Sequence, residues 1–385
     1  MKKIWGLLFL LILKNAYSQI DVKKEFEFAA LQYSGMLKSH LDTKYFPESS
    51  NPDGTQLDMP SNWWTPGFFP GSLWLLYEYT KDAKWKVAAE EWTLAIKNEQ
   101  FNTSTHDLGF MIYCAFGNGF RLTKNKEYKK IMLNGATSLS SRFNPKVGLI
   151  KSWDIFQNKY SYPVIIDNMM NLEYLFWAAR ESGNRKFYDI CVKHADNTLK
   201  NHFRADNSSY HVICYGSNGE VLAKKTSQGA NDESSWSRGQ AWGLYGFTIM
   251  FRETKDQKYL IQAQKIADYI INNPNLPVNK IPYWDFSKPG EERDASAAAI
   301  IASALLELSQ YCDKELNNQY LNTATKILET LSGSDYKSKL GKNNNFILMH
   351  STGNKPGNTE LDVPLIYADY YYLEALLRYQ KAKKK

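Results

Sequence analysis

Two carboxylates stand at the head of apolar, helix-patterned stretches. Asp107 lies in Thr105-His106-Asp107-Leu108-Gly109-Phe110, and Asp167 in Val164-Ile165-Ile166-Asp167-Asn168-Met169-Met170-Asn171. Trp64, Trp153, Trp236 and Trp242 are spread before, between and after them, and Arg238 occupies a polar turn between the last two. Paired carboxyls among flat aromatic faces suit sugar chemistry: one group moves a proton, a second tunes it, and indole faces pack against a pyranose ring. Each Asp alone reads equally well as a helix N-cap, where Asp is favoured because it accepts a bond from an orphan N–H. The set as a whole favours a catalytic use.

Other chemistries find little support. Cys114, Cys191, Cys214 and Cys312 are scattered without metal-ligand spacing, and the 6 histidines form no HExxH-type pair, so neither metal nor cofactor is expected. Three of the cysteines sit in helical patterns beside apolar neighbours, which points to buried free thiols rather than a disulfide framework. Lys2-Lys3, the apolar run Ile4–Leu13 and the small residues before Gln19 read as a secretory signal peptide over residues 1–18. Removing it takes three lysines and no acid, leaving about +4 of the formal +7. That balance permits an anionic substrate, and no basic cluster tracks a groove as nucleic-acid binding requires. The apolar run is too short for a permanent anchor, so an exported protein without a membrane anchor is expected, in the periplasm or the medium.

Helices must position the two acids. Five segments share an opening of polar residues, an aromatic and an apolar stripe at helical spacing: Lys81–Trp85, Lys124–Tyr128, Asn184–Tyr188, Lys255–Tyr259 and Leu316–Tyr320. They alternate with helices richer in apolar, aromatic and Gly residues that start near Pro66, Asp107, Asp167, Ser235, Asp294 and Pro364. With an opener around Glu25–Leu41, the count is twelve, alternately charge-faced and apolar all round. Such alternation predicts an all-α (α/α)6 barrel as one domain over residues 19–385, six inner helices ringed by six outer ones. One interruption, Tyr210–Tyr215 and Glu220–Ala223 around Gly216-Ser217-Asn218-Gly219, reads as a short β-hairpin. Inner helices start at one rim, so Asp107, Asp167, Arg238, Asp294 and Asp362 are expected around a common cavity. Asp294 and Asp362 read as ordinary N-caps, and Trp64 as a sugar platform.

The chain resembles the unsaturated glucuronyl hydrolases of glycoside hydrolase family 88. The resemblance rests on Trp64-Thr65-Pro66-Gly67-Phe68, His106-Asp107-Leu108-Gly109-Phe110, Ile165–Asn171 and Trp236-Ser237-Arg238-Gly239-Gln240-Ala241-Trp242-Gly243 in this order. It implies an exolytic enzyme that hydrates the C4=C5 double bond of a non-reducing-end uronate left by a polysaccharide lyase. The parent polymer would be a glycosaminoglycan or ulvan, with or without sulfate. Asp167 then matches the proton donor, and Asp107 the second acid, whose charge helps keep Asp167 protonated. Gln228, Arg238, His106 and His211 match positions near the sugar, with Arg238 meeting the uronate carboxylate, and Trp153, Trp236 and Trp242 match aromatic walls. In some relatives the loop His350–Pro356 binds sulfate through Ser and Lys. Ser351 and Lys355 are present here, but Gly353 replaces a hydroxyl. An unsaturated rhamnogalacturonyl hydrolase and a non-catalytic exported sugar-binding protein are the alternatives, and the oligomeric state stays open.

Overall fold

A computed structural model describes residues 20–384, so the expected signal peptide lies outside the described residues. Among the described residues, twelve helices alternate between an outer and an inner ring. In chain order they are α1 (Val22–Ser39), α2 (Phe68–Thr80), α3 (Ala83–Ala95), α4 (Asn118–Thr123), α5 (Lys126–Ser140), α6 (Asn171–Ser182), α7 (Arg185–Asn201), α8 (Ser237–Thr254), α9 (Gln257–Ile271), α10 (Ala295–Leu308), α11 (Lys314–Leu331) and α12 (Ile366–Lys383). Odd-numbered helices are outer and even-numbered ones inner. The short α4 continues a nine-residue π-helix at Gly109–Gly117.

The two rings differ in what they bury. Outer α7 buries Phe187, Ile190, Cys191, His194, Ala195 and Thr198, one stripe at helical spacing. Inner α10 buries every one of its residues. The repeated polar opening has a physical cause. Inner helices α2, α4, α6 and α8 end at Lys81, Lys124, Gly183 and Lys255, all left-handed with φ between 59° and 71°. The next residue, Asp82, Asn125, Asn184 or Asp256, then caps the following outer helix through its side chain.

Inner-to-outer turns are therefore tight at one end, and the long outer-to-inner connections collect at the other. Those connections carry four small sheets: β1 (Tyr45–Ser50) with β2 (Gln56–Pro60), β3 (Phe143–Asn144) with β4 (Leu149–Ile150), β5 (Pro163–Ile165) with β6 (Val212–Tyr215) and β7 (Val221–Lys225), and β8 (Ser351–Asn354) with β9 (Thr359–Val363). The expected hairpin is β6–β7, and it gains β5 as a third strand whose register runs Pro163 to Cys214 and Ile165 to Val212. The other sheets are additions to the expected fold. The loop expected at His350–Pro356 is largely strand β8.

At the tight end the barrel is closed by charge. Arg252 on α8 bonds Glu173 on α6 at 2.6 Å and Glu307 on α10 at 2.9 Å, and Arg378 on α12 bonds Glu307 at 2.8 Å. A cavity of about 450 Å³ reaches from this end up to Gly109 and Met170. Cys114, Cys191 and Cys214 are buried free thiols, and Cys312 is half-buried and free. No helix among the described residues is long and apolar enough to cross a membrane.

Candidate active site

Both acids reach the rim without acting as caps. Asp107 precedes the π-helix, yet no side chain caps that helix locally. The Asp107 carboxylate instead accepts from Thr105 Oγ1 at 2.7 Å and lies 3.3 Å from His106 Nε2. Asp167 stands in a 3₁₀ turn, Ile166–Met170, that leads from β5 into α6, and again no side chain caps the turn. Its Oδ2 is buried without a hydrogen-bond partner. The capping explanation fails for each.

Burial therefore dominates Asp167 and raises its carboxyl to about 7, opposed by the nearby positive charge of Arg238. The charge of Asp107 raises it further but is the smallest of the causes. The Asp107 charge thus acts in the expected direction, while desolvation does most of the raising.

His211 fixes the other side. Its Nδ1 accepts the backbone N–H groups of Ser227 and Gln228 at 3.0 and 3.1 Å, so the proton of the neutral ring sits on Nε2. Burial holds its pKa down to about 3, and Nε2 lies 3.8 Å from Asp167 Oδ2. The ring is a neutral donor aimed at the acid. It packs on Trp236 at 4.6 Å between centroids and edge-on to half-buried Trp153 at 6.2 Å.

Arg238 has a different task from the one expected. One terminal nitrogen donates to Asp294 Oδ2 at 2.9 Å and to the Thr352 carbonyl at 2.6 Å. The other donates to Gln228 Oε1 at 2.7 Å and to the Gly353 carbonyl at 2.6 Å. Both forks of the guanidinium are committed to protein, so a bidentate grip on a uronate carboxylate is not available. Because Arg has no acceptor, the amide orientation of Gln228 follows: its oxygen faces Arg238, and its NH₂ group is left to donate elsewhere. Asp294 caps α10, as expected, through Ser296 and Ala297, and in addition pairs with Arg238.

Other expectations also change. Trp242 is 1% exposed, packed between Phe110 and Tyr371, and belongs to the core rather than to a wall. Trp236 is 4% exposed, with its faces taken by His211 and Arg238, so it is a spacer rather than an open platform. Trp64 is half-buried against Phe68, Phe110 and Tyr367. Asp362 is not a cap: α12 starts after Leu365, and Asp362 lies in β9 bonded to His350 at 2.6 Å. Ser351 is fully buried, and Lys355 donates to Glu292 at 2.5 Å. A Cβ on Gly353 would run into the Glu360 carboxyl, which itself bonds Glu48. The face expected to bind sulfate is thus filled by a carboxyl and its lysine is already paired.

Four buried histidines surround this region. Burial lowers His194, His202 and His211 to about 3 and also lowers His106. For His194, His202 and His211, the unfolded chain binds protons between about pH 6.5 and about pH 3 that the fold refuses, so each costs about 1.4 kcal/mol per pH unit as pH falls, and His106 acts in the same direction. Four buried carboxyls oppose them: Asp167 and Asp369, each raised to about 7, and Glu48 and Glu360, also raised, all chiefly by burial. The fold takes up those protons first, so Asp167 and Asp369 add stability as pH falls from near 7 to near 4, and Glu48 and Glu360 act in the same direction. The carboxyls thus offset the histidines in the mildly acidic range, and stability is expected to drop below about pH 4, where only the histidines still act. Asp369→Asn should remove one offsetting group, so that stability falls by about 1.4 kcal/mol more per pH unit toward acid than in the wild type. Urea titrations from about pH 6.5 to 4.5 check it; an unchanged slope shows that Asp369 is ionised in the fold.

An (α/α)6 barrel whose mouth holds a proton-bearing buried carboxyl beside a second acid and indoles defines a carbohydrate-processing hydrolase. The chain belongs to Glycosyl Hydrolase Family 88, whose profile matches residues 39–381. An unsaturated glucuronyl hydrolase of Formosa agariphila is 43% identical over 374 residues, 95% of this chain and 92% of that protein. An unsaturated chondroitin disaccharide hydrolase of Streptococcus agalactiae is 33% identical over 84% of this chain and 83% of its own length. The crystal structure of an unsaturated glucuronyl hydrolase specific for heparin superimposes with a TM-score of 0.92 at 48% identity, covering 94% of this chain and 98% of that one.

Asn168, Asn171, Ser152 and Arg142 were not singled out in the sequence, yet they tie the two acid-bearing turns together. For the asparagines a signal was available: Asn168 in the 3₁₀ turn and Asn171 at the head of α6 are two amides set among apolar neighbours.

Proposed function

We propose that the protein removes the 4,5-unsaturated glucuronyl residue from the non-reducing end of lyase-generated oligosaccharides by hydrating its C4=C5 bond. The observation that carries this reading is Asp167, a buried, unpaired carboxyl raised to about 7 at the barrel mouth. Such a group keeps a proton near neutrality and can give it to carbon C4. Water adds to C5, and its second proton returns to the Asp167 carboxylate. The C5 hemiketal then opens to a ketone, which leaves C1 a hemiacetal; this collapses to an aldehyde, its hydroxyl proton passing to the departing oxygen as the leaving sugar is released. His211 Nε2–H and the Gln228 amide are the donors that orient the ring, while Trp64 and Trp153 offer the accessible aromatic edges. A binder without catalysis has no use for an unpaired buried acid, which counts against that alternative. We also propose export, on the strength of the signal-like residues 1–18.

Loss of the unsaturated uronate's ultraviolet absorbance is the assay. Disaccharides that carry the unsaturated uronate in the anomeric linkage left by glucuronan-type lyases should be consumed, and those that carry the same ring in the opposite anomeric linkage, left from galacturonan, much less so. The acid must be protonated to act, so kcat/KM should hold below about pH 7 and fall roughly tenfold per unit above it. Asp107→Asn should move that alkaline midpoint only slightly, and downward, because burial rather than Asp107 sets it. A large shift would return the tuning role to Asp107. No absorbance loss with any unsaturated disaccharide would overturn the reading.

A further inference from the structure

We propose that Asn171 is a positioning residue that sets the catalytic turns of Asp107 and Asp167 in register, and that it takes over the capping duty Asp107 would otherwise perform. The inference rests on the hydration reading above. Gly109 N–H is among the orphan donors at the start of the π-helix, where an acidic cap is the ordinary solution. Here Asn171 Oδ1 accepts that N–H at 2.8 Å from the neighbouring inner helix. The Asp107 carboxylate is thereby spared for the cavity, and its carbonyl alone holds the first turn, accepting from Phe110 and Met111 at 2.9 Å.

The other half of the Asn171 amide runs toward Asp167. Its Nδ2 donates to Asn168 Oδ1 at 2.7 Å, and Asn168 Nδ2 donates to the Ile150 carbonyl at 2.8 Å and to Ser152 Oγ at 2.9 Å. Ser152 Oγ in turn accepts the Ile165 N–H at 2.9 Å, two residues before Asp167. An unbroken chain of bonds thus runs from the residue two after Asp107 to the strand that delivers Asp167. Every link is buried, with Asn168 at 0%, Asn171 at 1% and Ser152 at 0% exposure, so water cannot substitute for a missing partner. Gly109 completes the fit: a Cβ there would stand 2.5 Å from Asn171 Oδ1. Arg142 braces the same frame from outside, bonding the Thr103, Lys151 and Ser152 carbonyls at 2.6, 2.9 and 3.1 Å. None of these side chains touches the acids themselves, so the effect is one of placement.

The test measures kcat, KM and the alkaline midpoint for wild type, Asn171→Ala and Ser152→Ala on one unsaturated glucuronyl disaccharide. Asn171→Ala is expected to lower kcat at least about thirtyfold with KM changed less than about threefold, and Ser152→Ala to lower kcat about threefold to tenfold in the same way. The alkaline midpoint should also move in Asn171→Ala, because the Asp167 carboxyl settles at a different depth. Leu328→Ala in outer α11 serves as a destabilised control and should keep wild-type kcat. A kcat within twofold of wild type in Asn171→Ala overturns the proposal. Should that variant not fold, an unchanged kcat in Ser152→Ala overturns it instead. Inactive wild-type protein would count against the hydration reading and not against the register.

Discussion

Asp167→Asn is expected to lower turnover by about 10²–10⁴-fold while leaving fold and substrate affinity close to wild type. The protonated carboxyl and the amide are nearly isosteric, and the site already favours the uncharged form. No hydrogen bond to Oδ2 is lost, because none is made. The substitution therefore removes the transferable proton and little else. An amide N–H is far too weak an acid to protonate C4, and neither His106 nor His211 can take over. Both are buried and held neutral, and the Nε2–H of His211 is an orienting donor rather than an acid. Single-turnover rates and equilibrium binding of the uncleaved disaccharide check both halves. Residual activity above a tenth of wild type would move the proton to another group.

Arg238→Lys is expected to act first on stability and second on catalysis. An ammonium has three donors at one point, whereas the guanidinium serves Asp294, Thr352, Gln228 and Gly353 in two separated forks. Keeping the ion pair with Asp294 leaves at least two buried acceptors unserved, at a cost of about 2–5 kcal/mol. The Gln228 amide also loses the partner that fixes its orientation, which should raise KM modestly. Urea denaturation and Michaelis constants on one preparation separate the roles. A hundredfold rise in KM with unchanged stability would return Arg238 to the substrate carboxylate.

The ring of helices was legible because its turns repeat. A left-handed Lys or Gly followed by Asp or Asn is a local instruction, and it recurs at four of the five places where an inner helix hands over to an outer one; α10 instead runs through a 3₁₀ turn to Cys312 before Asp313 caps α11. The small sheets had no such signature. Strand β1, Tyr45–Ser50, is buried at five of its six positions, so the alternation that announces a half-exposed strand is missing. At the site, Asp107 and Asp167 stood out by chemistry and place. Trp242 and Arg238 were misjudged because a sequence does not say how deep a residue sits or who already holds it. Trp242 lies four residues past Arg238, about 6 Å further down the helix axis, which carries it from the mouth into the packed interior. Ser351 failed for the first reason, being fully buried, and Lys355 for the second, since Glu292 from a distant segment already holds it.

Helix α12 is an inner stave wedged between α10 and α2, and its tyrosines reach back to the first helix, with Tyr372 donating to Glu25 at 2.9 Å. It is also the last of the twelve to leave the ribosome. A nascent chain that has not yet emitted Ile366 holds eleven staves around an open slot, with the apolar walls of α10 and α2 unpaired. Closure of the ring must then wait until that last helix has been made. The unpaired apolar walls need chaperone cover for the same interval.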